Sequence, residues 1–297
     1  MASKRQIAYA EEVQALMDSY ADDIDIGSMR IRNLLIELNR SLTVKIMAMS
    51  EDEWMRMNLM QARRDLTELM GKFKIGYDAE LLATLKKGAT KGVNSVIEPL
   101  KNNLDMTLLA FEPKVWKPVF MDPYIRQIWN VSSTLITGAT QEVAEKIMTD
   151  ITLGLAGGLS RETVINSIVG QLDGEALGFK DLNDRAWAIY RTETSRMFSQ
   201  ASYLQMSTAE EILPGSEKQW MHGILWGAGQ EPRAGHVALD GEVVPFDEAF
   251  QDPITGDALR YPLDPLAPPS ATVNCGCTMS LVLPADSFLR DTTMVNV

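Results

Sequence analysis

The chain has 297 residues, of which 45% are hydrophobic and 23% charged, and this composition predicts an ordered globular protein of one or two domains. A formal net charge of −12 opposes non-specific binding to a nucleic-acid backbone, although short basic clusters occur at Arg63-Arg64 and at Lys86, Lys87 and Lys91. The sequence contains no apolar run of about 18 residues and no signal-peptide core, so we expect a protein without membrane partners that is made and kept in a cytoplasm.

Apolar residues recur at helical spacing through the first two thirds of the chain, which predicts a series of helices. A capping box formed by Ser50 and Glu53 is predicted to begin the third helix, and Gly71 or Gly76 is predicted to end it. Pro99 is expected to break or kink the fourth helix, because proline lacks a backbone donor. The predicted helices span residues 5–20, 28–48, 50–70, 78–104, 123–137, 140–155, 160–172 and 181–206.

The sequence changes character twice outside these helices. Three prolines within residues 111–123 predict either an irregular connector or a crossover inside one helical domain. After Pro214-Gly215, short apolar segments predict strands, and Asp240-Gly241 predicts a hairpin, because a type I′ turn needs positive φ at both central positions. The predicted fold class is therefore α+β, with a mainly helical N-terminal region followed by a small module of one long helix and antiparallel β-hairpins. The segments assigned to strands lie at residues 218–226, 236–245 and 272–283.

Both histidines and both cysteines of the chain fall in this C-terminal quarter, at His222, His236, Cys275 and Cys277. Thiolates and neutral imidazoles are the ligands that zinc prefers, so these four residues are candidate zinc ligands. The Cys-x-Cys spacing is shorter than the usual Cys-x₂₋₄-Cys, and it is too short for an unstrained disulfide. The alternative is that the cysteines are small buried residues and His236 caps a turn, in which case the protein has no cofactor.

Enzymatic alternatives find little support in the motifs. The deaminase patterns His-x-Glu and Pro-Cys-x-x-Cys are both missing, and the sequence has no glycine-rich phosphate loop and no Gly-x-Ser-x-Gly. A nucleophilic cysteine paired with histidine, or a catalytic Arg/Glu pair from Arg191, Glu193 and Arg196, would require exposure in a cleft. We expect instead that these helix charges tie the long helix to the β-module, through Arg233, Asp240 or Glu242.

Six short signatures follow one another in a fixed order between residues 155 and 283. The first is a Gly-Leu-Ser segment before a short helix, followed by an Arg-Thr-Glu-Thr helix and then a tryptophan-containing strand. An Arg-x-x-His-x-x-Leu-Asp-Gly segment, a Tyr-Pro turn and a closing Asn-Cys-x-Cys complete the order. This order resembles the phage Mu protein F-like family of minor head proteins, also called the head-morphogenesis family.

The resemblance assigns family-motif positions to individual residues of this chain. Besides the candidate metal ligands, they are Arg191, Thr192, Glu193, Thr194, Trp220, Arg233, Asp240, Gly241, Tyr261, Pro262 and Asn274. The sequence departs from the family's motif pattern at two places. Gly276 replaces the usual arginine between the cysteines, and residues 227–231 form an enlarged loop before Arg233. We therefore expect the family fold, without an anion contact from the missing arginine.

The resemblance implies a non-enzymatic minor capsid protein that acts in procapsid assembly at low copy number and resides in the virion head. The implied partners are the portal protein, and beyond it the capsid or scaffold protein and the packaged DNA. We divide the chain into a helical, methionine-rich region for partner contacts (1–112), a connector with helices (113–154), the Mu F-like module (155–285) and a tail (286–297). We expect the module to fold without residues 1–110. The alternatives are a packaged DNA-binding or ejection protein, and a Cys- or Glu-dependent hydrolase or ADP-ribosyltransferase-like enzyme.

Overall fold

The computed structural model describes residues 4–103, 120–157, 159–173, 181–211, 213–225 and 233–284. Helices make up most of these residues, and a small set of antiparallel strands follows in the C-terminal part. The predicted α+β class is therefore confirmed. The longer helices and the short helix between the first two are α1 (Lys4–Met47), α2 (Glu51–Met55), α3 (Leu59–Asn103), α4 (Asp122–Leu155), α5 (Arg161–Asp173) and α6 (Leu182–Glu210).

Several helices that the periodicity separates are continuous. The two segments predicted at 5–20 and 28–48 form the single helix α1, and α3 passes through Gly71, Gly76 and Pro99 without ending. An interior glycine costs a helix only about 1 kcal/mol relative to alanine. Burial of the flanking apolar side chains offsets that cost, since residues at helical spacing such as Met70, Phe73 and Tyr77 are buried on both sides of Gly71 and Gly76.

The capping box at Ser50 is present as predicted. The Ser50 hydroxyl accepts the backbone N–H of Glu53 at 3.2 Å, and the Glu53 carboxylate accepts the backbone N–H of Ser50 at 2.7 Å. The helix that it begins is much shorter than predicted, because α2 ends at Met55 and α3 starts separately at Leu59. The side chain of Asn58 accepts the N–H of Met60 at the start of α3, which supplies a second helix start that the prediction missed.

Replacing Ser50 by alanine is expected to lower the free energy of unfolding by about 1 kcal/mol, because the backbone N–H of Glu53 loses its acceptor. Urea unfolding monitored by circular dichroism would measure the loss. The Ser50→Thr variant keeps the hydroxyl and should unfold close to the wild-type midpoint. Equal stability of the alanine and threonine variants would contradict a stabilising capping box.

The remaining helices follow their predicted starts more closely. Helix α4 begins at Asp122 with Pro123 in its first turn, and it continues through Gly138, so the helices predicted at 123–137 and 140–155 are one. Helices α5 and α6 agree with the predicted segments within a few residues at their starts and ends. Residues 111–119 of the predicted connector lie outside the described residues.

The strands form two small antiparallel sheets, and short helices lie between them in the sequence. The elements are β1 (Glu217–Met221), α7 (Ala234–Ala238), β2 (Val243–Pro245), β3 (Phe250–Gln251), β4 (Ala258–Leu259), α8 (Pro269–Thr272) and β5 (Thr278–Val282). The first sheet has the order β2-β1-β5, in which β1 pairs with both neighbours, and the second pairs β3 with β4. In the register of β1 with β5, Trp220 lies opposite Met279 and Met221 opposite Thr278.

The hairpin predicted around Asp240-Gly241 is wrong, although Gly241 has the positive φ of 79° that the turn requires. Residues 236–238 are the end of helix α7 rather than a strand. The segment after the turn pairs with β1 instead, where Gly241 N–H donates to the carbonyl of Trp220 and Trp220 N–H to that of Glu242, both at 2.9 Å. The turn therefore connects helix α7 to strand β2.

The chain divides into two compact units, each assembled from separate stretches of sequence. Unit 1 comprises Met1–Asp25, Thr84–Arg126 and Thr192–Val297, and unit 2 comprises Ile26–Ala83 and Gln127–Arg191. Neither unit follows the predicted boundaries at 112 and 154. No helix in the described part of the chain has the length and apolar character needed to cross a membrane.

Within unit 1, the N-terminal helical residues complete the core around the strands. The Tyr9 hydroxyl donates to the carbonyl of Leu281 in β5 at 3.2 Å, and the Tyr20 hydroxyl donates to the carbonyl of Thr194 at 2.9 Å. Tyr20 also stacks on Phe198, with ring centroids 4.9 Å apart. Deleting residues 1–110 would remove these contacts from unit 1.

Unit 2 is a helical unit with its own buried aromatic side chains. Tyr77 and Tyr190 meet edge to face with centroids 6.5 Å apart, and the Tyr77 hydroxyl donates to the carbonyl of Ala186 at 3.2 Å. A side chain at Gly27 would displace Tyr190, because a Cβ at this position would lie 1.8 Å from the hydroxyl oxygen of Tyr190. The Trp54 side chain of α2 is buried in the same unit.

Candidate functional site

His236, Cys275 and Cys277 converge inside unit 1. Their side-chain donor atoms all lie within 4.8 Å of one another, and all three residues are buried. The Nδ1 atom of His236 is 3.4 Å from the sulfur of Cys275 and 3.6 Å from the sulfur of Cys277. Both cysteines are free thiols. The structure thus brings together three of the four candidate metal ligands.

The two cysteines are positioned by the segment that leads from α8 into β5. Asn274 has a left-handed backbone with φ of 55°, a conformation that asparagine tolerates better than most residues. Its N–H donates to the hydroxyl of Thr192 on α6 at 2.9 Å, which fixes the turn just before Cys275. The N–H of Cys277 then points at the sulfur of Cys275, 3.5 Å away.

His236 lies in the short helix α7, and two contacts hold this helix in place. The guanidinium of Arg233, just before α7, donates to the carbonyls of Ser270 and Val273 at 2.6 and 2.5 Å. The Asp252 carboxylate packs against Gly235, so closely that an added Cβ would lie 2.0 Å from one of its oxygens. Arg233 therefore connects the histidine helix to the cysteine-bearing segment.

The electrostatics of the cluster favour one negative charge on the cysteine pair. A hydrogen bond from the thiol of Cys277, together with the hydrogen bond and charge of His236, holds the pKa of Cys275 well below its ordinary value despite burial. Burial and the adjacent Cys275 sulfur raise the pKa of Cys277 well above its ordinary value. Burial alone would raise the pKa of Asp252, but backbone N–H groups of Ile254 and Thr255 and the nearby His236 lower it.

The fourth candidate ligand, His222, is not part of this group among the described residues. It follows β1, and its backbone N–H donates to the carboxylate of Asp240 at 2.8 Å. The family-motif aspartate therefore accepts the N–H of a residue just after β1. The interactions that we predicted for Asp240 and Arg233 with the charges of α6 are replaced by these contacts.

The comparisons with known proteins cover the same part of the chain. Residues 145–280 match the family described as phage Mu protein F like protein. That segment is similar to the phage Mu protein F-like family. A relative is the uncharacterized protein YqbB of Bacillus subtilis (strain 168), which is 30% identical over 92 residues, a match spanning 31% of this chain and 30% of the relative. No solved structure matches the chain.

The Arg-Thr-Glu-Thr signature of the Mu F-like segment lies on α6 and is largely buried. Thr192 accepts the N–H of Asn274 as described, and the carbonyl of Thr194 accepts the Tyr20 hydroxyl. Glu193 forms an ion pair with Arg196, whose Nε also donates to the carbonyl of Leu263 at 3.3 Å. Burial raises the pKa of Glu193, although Arg196 opposes that effect. The signature therefore holds α6 to the loops around the strands.

The other motif positions of the Mu F-like segment serve packing. Arg191 stacks over the ring of Trp187 at 4.7 Å from its centroid. Trp220 is buried and meets His236 edge to face at 5.2 Å, so it forms one wall of the thiol–imidazole cluster. Tyr261 stacks on Tyr203 at 4.5 Å, and burial raises its pKa to about 12. Pro262 follows it and is also buried.

The enzymatic alternatives required exposure that these residues lack. His236 and Cys277 have no exposed area, Cys275 is 2% exposed and Glu193 is 5% exposed. A nucleophile or a catalytic carboxylate must reach its substrate. In the part of the chain that the structure describes, neither the cysteine pair nor Glu193 opens into a cleft beside His236.

Sequence reasoning missed a buried lysine at the centre of the Mu F-like segment. The ammonium of Lys218 on β1 donates to the carbonyls of Phe246 and Arg260 at 3.0 and 2.8 Å. The rings of Tyr203, Phe246 and Phe250 lie 5.4–5.5 Å from it. The alternation of buried and less buried residues along β1 could have indicated that Lys218 faces inward. The carbonyls of Phe246 and Arg260 that accept its hydrogen bonds are visible only in the folded structure.

A second missed feature is the ion pair between Arg260 and Asp264. The guanidinium donates to both carboxylate oxygens of Asp264, at 2.7 and 2.6 Å. The N–H of Leu266 donates to the same carboxylate at 3.0 Å. These bonds order the proline-rich loop that precedes α8, and so they fix the approach to Cys275.

Proposed function

We propose that the protein is a minor head protein of a tailed bacteriophage, which joins the portal at low copy number during procapsid assembly and stays in the virion. The observation that carries the proposal is the match of residues 145–280 to the phage Mu protein F-like family. The contacts of the family-motif residues support a structural role. Thr192, Arg233 and Asp240 are engaged in holding the segment together rather than directed at a substrate.

The charge distribution favours this proposal over a DNA-binding or ejection protein. In the first basic cluster, Arg63 pairs with Glu145 at 2.7 Å. In the second, Lys87 and Lys91 both pair with Asp23, at 2.7 and 2.5 Å. Basic groups that are already paired with carboxylates gain less from a phosphate backbone, and the net charge of −12 repels it further.

The surface for the portal is proposed to lie on the helices of unit 2. Methionine side chains adapt to varied partner surfaces because they are flexible and polarisable. Met29 and Met47 on α1 and Met60 on α3 are 59%, 62% and 70% exposed. Ile36 on α1 is also exposed, so the helix presents several large apolar side chains to solvent. A head-assembly partner such as the portal protein would bury them.

The test is co-expression of the full-length chain with the portal protein of the same phage, followed by affinity purification of the portal. The wild-type chain is expected to co-purify. The double variant Met29→Glu with Met47→Glu places two charges in the contact and should reduce recovery about tenfold or more. Quantitative mass spectrometry of purified procapsids would in parallel give the copy number relative to the portal.

The control is the double variant Ile254→Glu with Leu266→Glu. Both residues lie in unit 1 and are as exposed as the methionines, at 68% and 80%. This variant should co-purify with the portal like the wild type. Absence of the wild-type chain from purified heads would overturn the proposed function, and equal recovery of both double variants would overturn the proposed surface.

A further inference from the structure

Two sulfurs and one imidazole nitrogen converge at a single buried point in unit 1, and their chemistry points to a metal. We infer that Nδ1 of His236 and the sulfurs of Cys275 and Cys277 bind one zinc ion. Zinc takes thiolate and imidazole ligands in a tetrahedron, whereas magnesium and calcium prefer oxygen. The inference is independent of the proposed head-assembly function, because it rests on the cluster alone.

The two sulfur–nitrogen separations match those of a zinc tetrahedron. Zinc lies about 2.3 Å from a thiolate sulfur and about 2.0–2.1 Å from an imidazole nitrogen, so the tetrahedral angle places sulfur and nitrogen about 3.5 Å apart. The separations here are 3.4 Å from Cys275 and 3.6 Å from Cys277 to Nδ1 of His236. The imidazole nitrogen therefore lies at the distance from each sulfur that a shared zinc ion requires, and all three donor atoms are within 4.8 Å of one another.

Hydrogen bonding explains the same arrangement less well. A neutral imidazole nitrogen carries one proton or one lone pair, directed along one axis in the ring plane. It can serve one sulfur well, but Nδ1 of His236 lies at nearly equal distances from two. A cation between the three atoms attracts both sulfurs and the nitrogen lone pair at once.

The surroundings suit a structural ion rather than a catalytic one. Trp220, Leu239 and Phe250 belong to the buried apolar cluster that contains both cysteines. The N–H of Cys277 directed at the sulfur of Cys275 stabilises negative charge on that sulfur. The described group supplies three donors of the kind that a structural zinc ion takes.

The consequence for the fold is a cross-link between distant parts of the sequence. His236 on α7 lies 39 and 41 residues before the two cysteines. Zinc would join α7 to the start of β5 in a region whose strands are short. Binding energy that is realised only in the folded state adds to the stability of that state.

The test is the metal content of the full-length protein, purified under reducing conditions without chelators from zinc-supplemented cells. About one zinc per chain is expected for the wild type, and most of it should be lost in His236→Gln and in Cys277→Ser. The matched control is His222→Gln, which alters the other histidine of the same region and should retain its zinc. Retention by His236→Gln together with loss in His222→Gln would overturn the ligand assignment.

A second measurement guards against variants that fail to fold. Wild-type protein exchanged with Co²⁺ should show the intense d–d absorption of a tetrahedral cobalt site and a thiolate-to-cobalt charge-transfer band. Zinc added in equal amount should abolish both. A wild-type chain with far less than one zinc, and without those bands after addition of Co²⁺ to the reduced protein, would overturn the site.

Discussion

The Gly92→Ala variant is expected to lose about 2 kcal/mol of unfolding free energy, or more, although alanine is the better helix former. A Cβ at Gly92 would lie 2.5 Å from the carbonyl oxygen of Phe198 and 2.8 Å from the Cβ of Ala201. Both are rigid parts of α6, so the two helices would have to separate within unit 1. Such a separation would also strain the hydrogen bond from Ser202 to the Gly92 carbonyl, which measures 3.1 Å.

The measurement is urea unfolding at equilibrium, followed by both circular dichroism and tryptophan fluorescence. Gly71→Ala on the same helix is the matched control, because a Cβ there meets no atom within 4 Å. That variant should gain about 0.5–1 kcal/mol from helix propensity alone. If Gly92→Ala were also stabilised, the close approach of α3 and α6 at this position would be incorrect.

The Lys218→Met variant is expected to lose about 2 kcal/mol of unfolding free energy near neutral pH. Methionine fills a similar volume, but it leaves the carbonyls of Phe246 and Arg260 without the donor that now reaches both. A buried acceptor without a partner costs about 1–3 kcal/mol. The loss is partly offset, because burying an ammonium is itself unfavourable.

The same variant gives a pH-dependent signature. Burial lowers the pKa of Lys218 from its ordinary value of 10.5 to about 8. Between these two values the unfolded chain keeps a proton that the folded chain has released, so wild-type stability rises with pH. Lys218→Met lacks this group, and its deficit relative to the wild type should grow between pH 7.5 and pH 9.5.

Comparing the two proteins at each pH cancels the titration of the other groups, including the cysteines. Lys146→Met is a suitable control, because that lysine is exposed and forms an ion pair with Glu142 on its own helix. Its stability should stay within about 0.5 kcal/mol of the wild type, with no added dependence on pH. A deficit of Lys218→Met that shrinks as the pH rises would contradict the lowered pKa of the buried lysine.

Unit 1 contains N-terminal segments of the chain, and this affects how the proposed binding to the portal can be tested. Residues 1–25 and 84–126 belong to the same compact unit as residues 192–297. An N-terminal deletion would therefore remove part of that core, and loss of portal binding would not distinguish a lost contact from unfolding. Substitutions of exposed side chains in the full-length chain avoid this difficulty.

The zinc proposal and the family match concern the same segment but predict different behaviour. The match supports a role in head assembly, while the cluster of His236, Cys275 and Cys277 predicts that the segment binds metal. A protein that contains zinc but is absent from heads would keep the second conclusion and lose the first. A protein that is present in heads but contains no zinc would keep the first conclusion and lose the second.

Some features could be predicted from the sequence because they depend on neighbours in the chain. The capping box of Ser50 and Glu53 involves residues three apart, and the starts of α4 and α5 depend on local polar and proline signals. The ordered signatures also indicated the family whose model matches residues 145–280, since a series of motifs is readable without knowledge of their contacts. The three metal-ligand candidates that converge were visible for the same reason.

Tertiary packing decided the rest. Gly71 and Pro99 are local signals that favour the end of a helix, yet α3 continues through both residues. Buried apolar side chains on either side stabilise the helix by more than glycine and proline destabilise it. The segment at His236 has a strand-like sequence but forms helix α7, and β1 pairs with β2 and β5. The separation of His236 from His222, and the two carbonyls that bind Lys218, depend on contacts between residues far apart in the chain, which sequence periodicity does not encode.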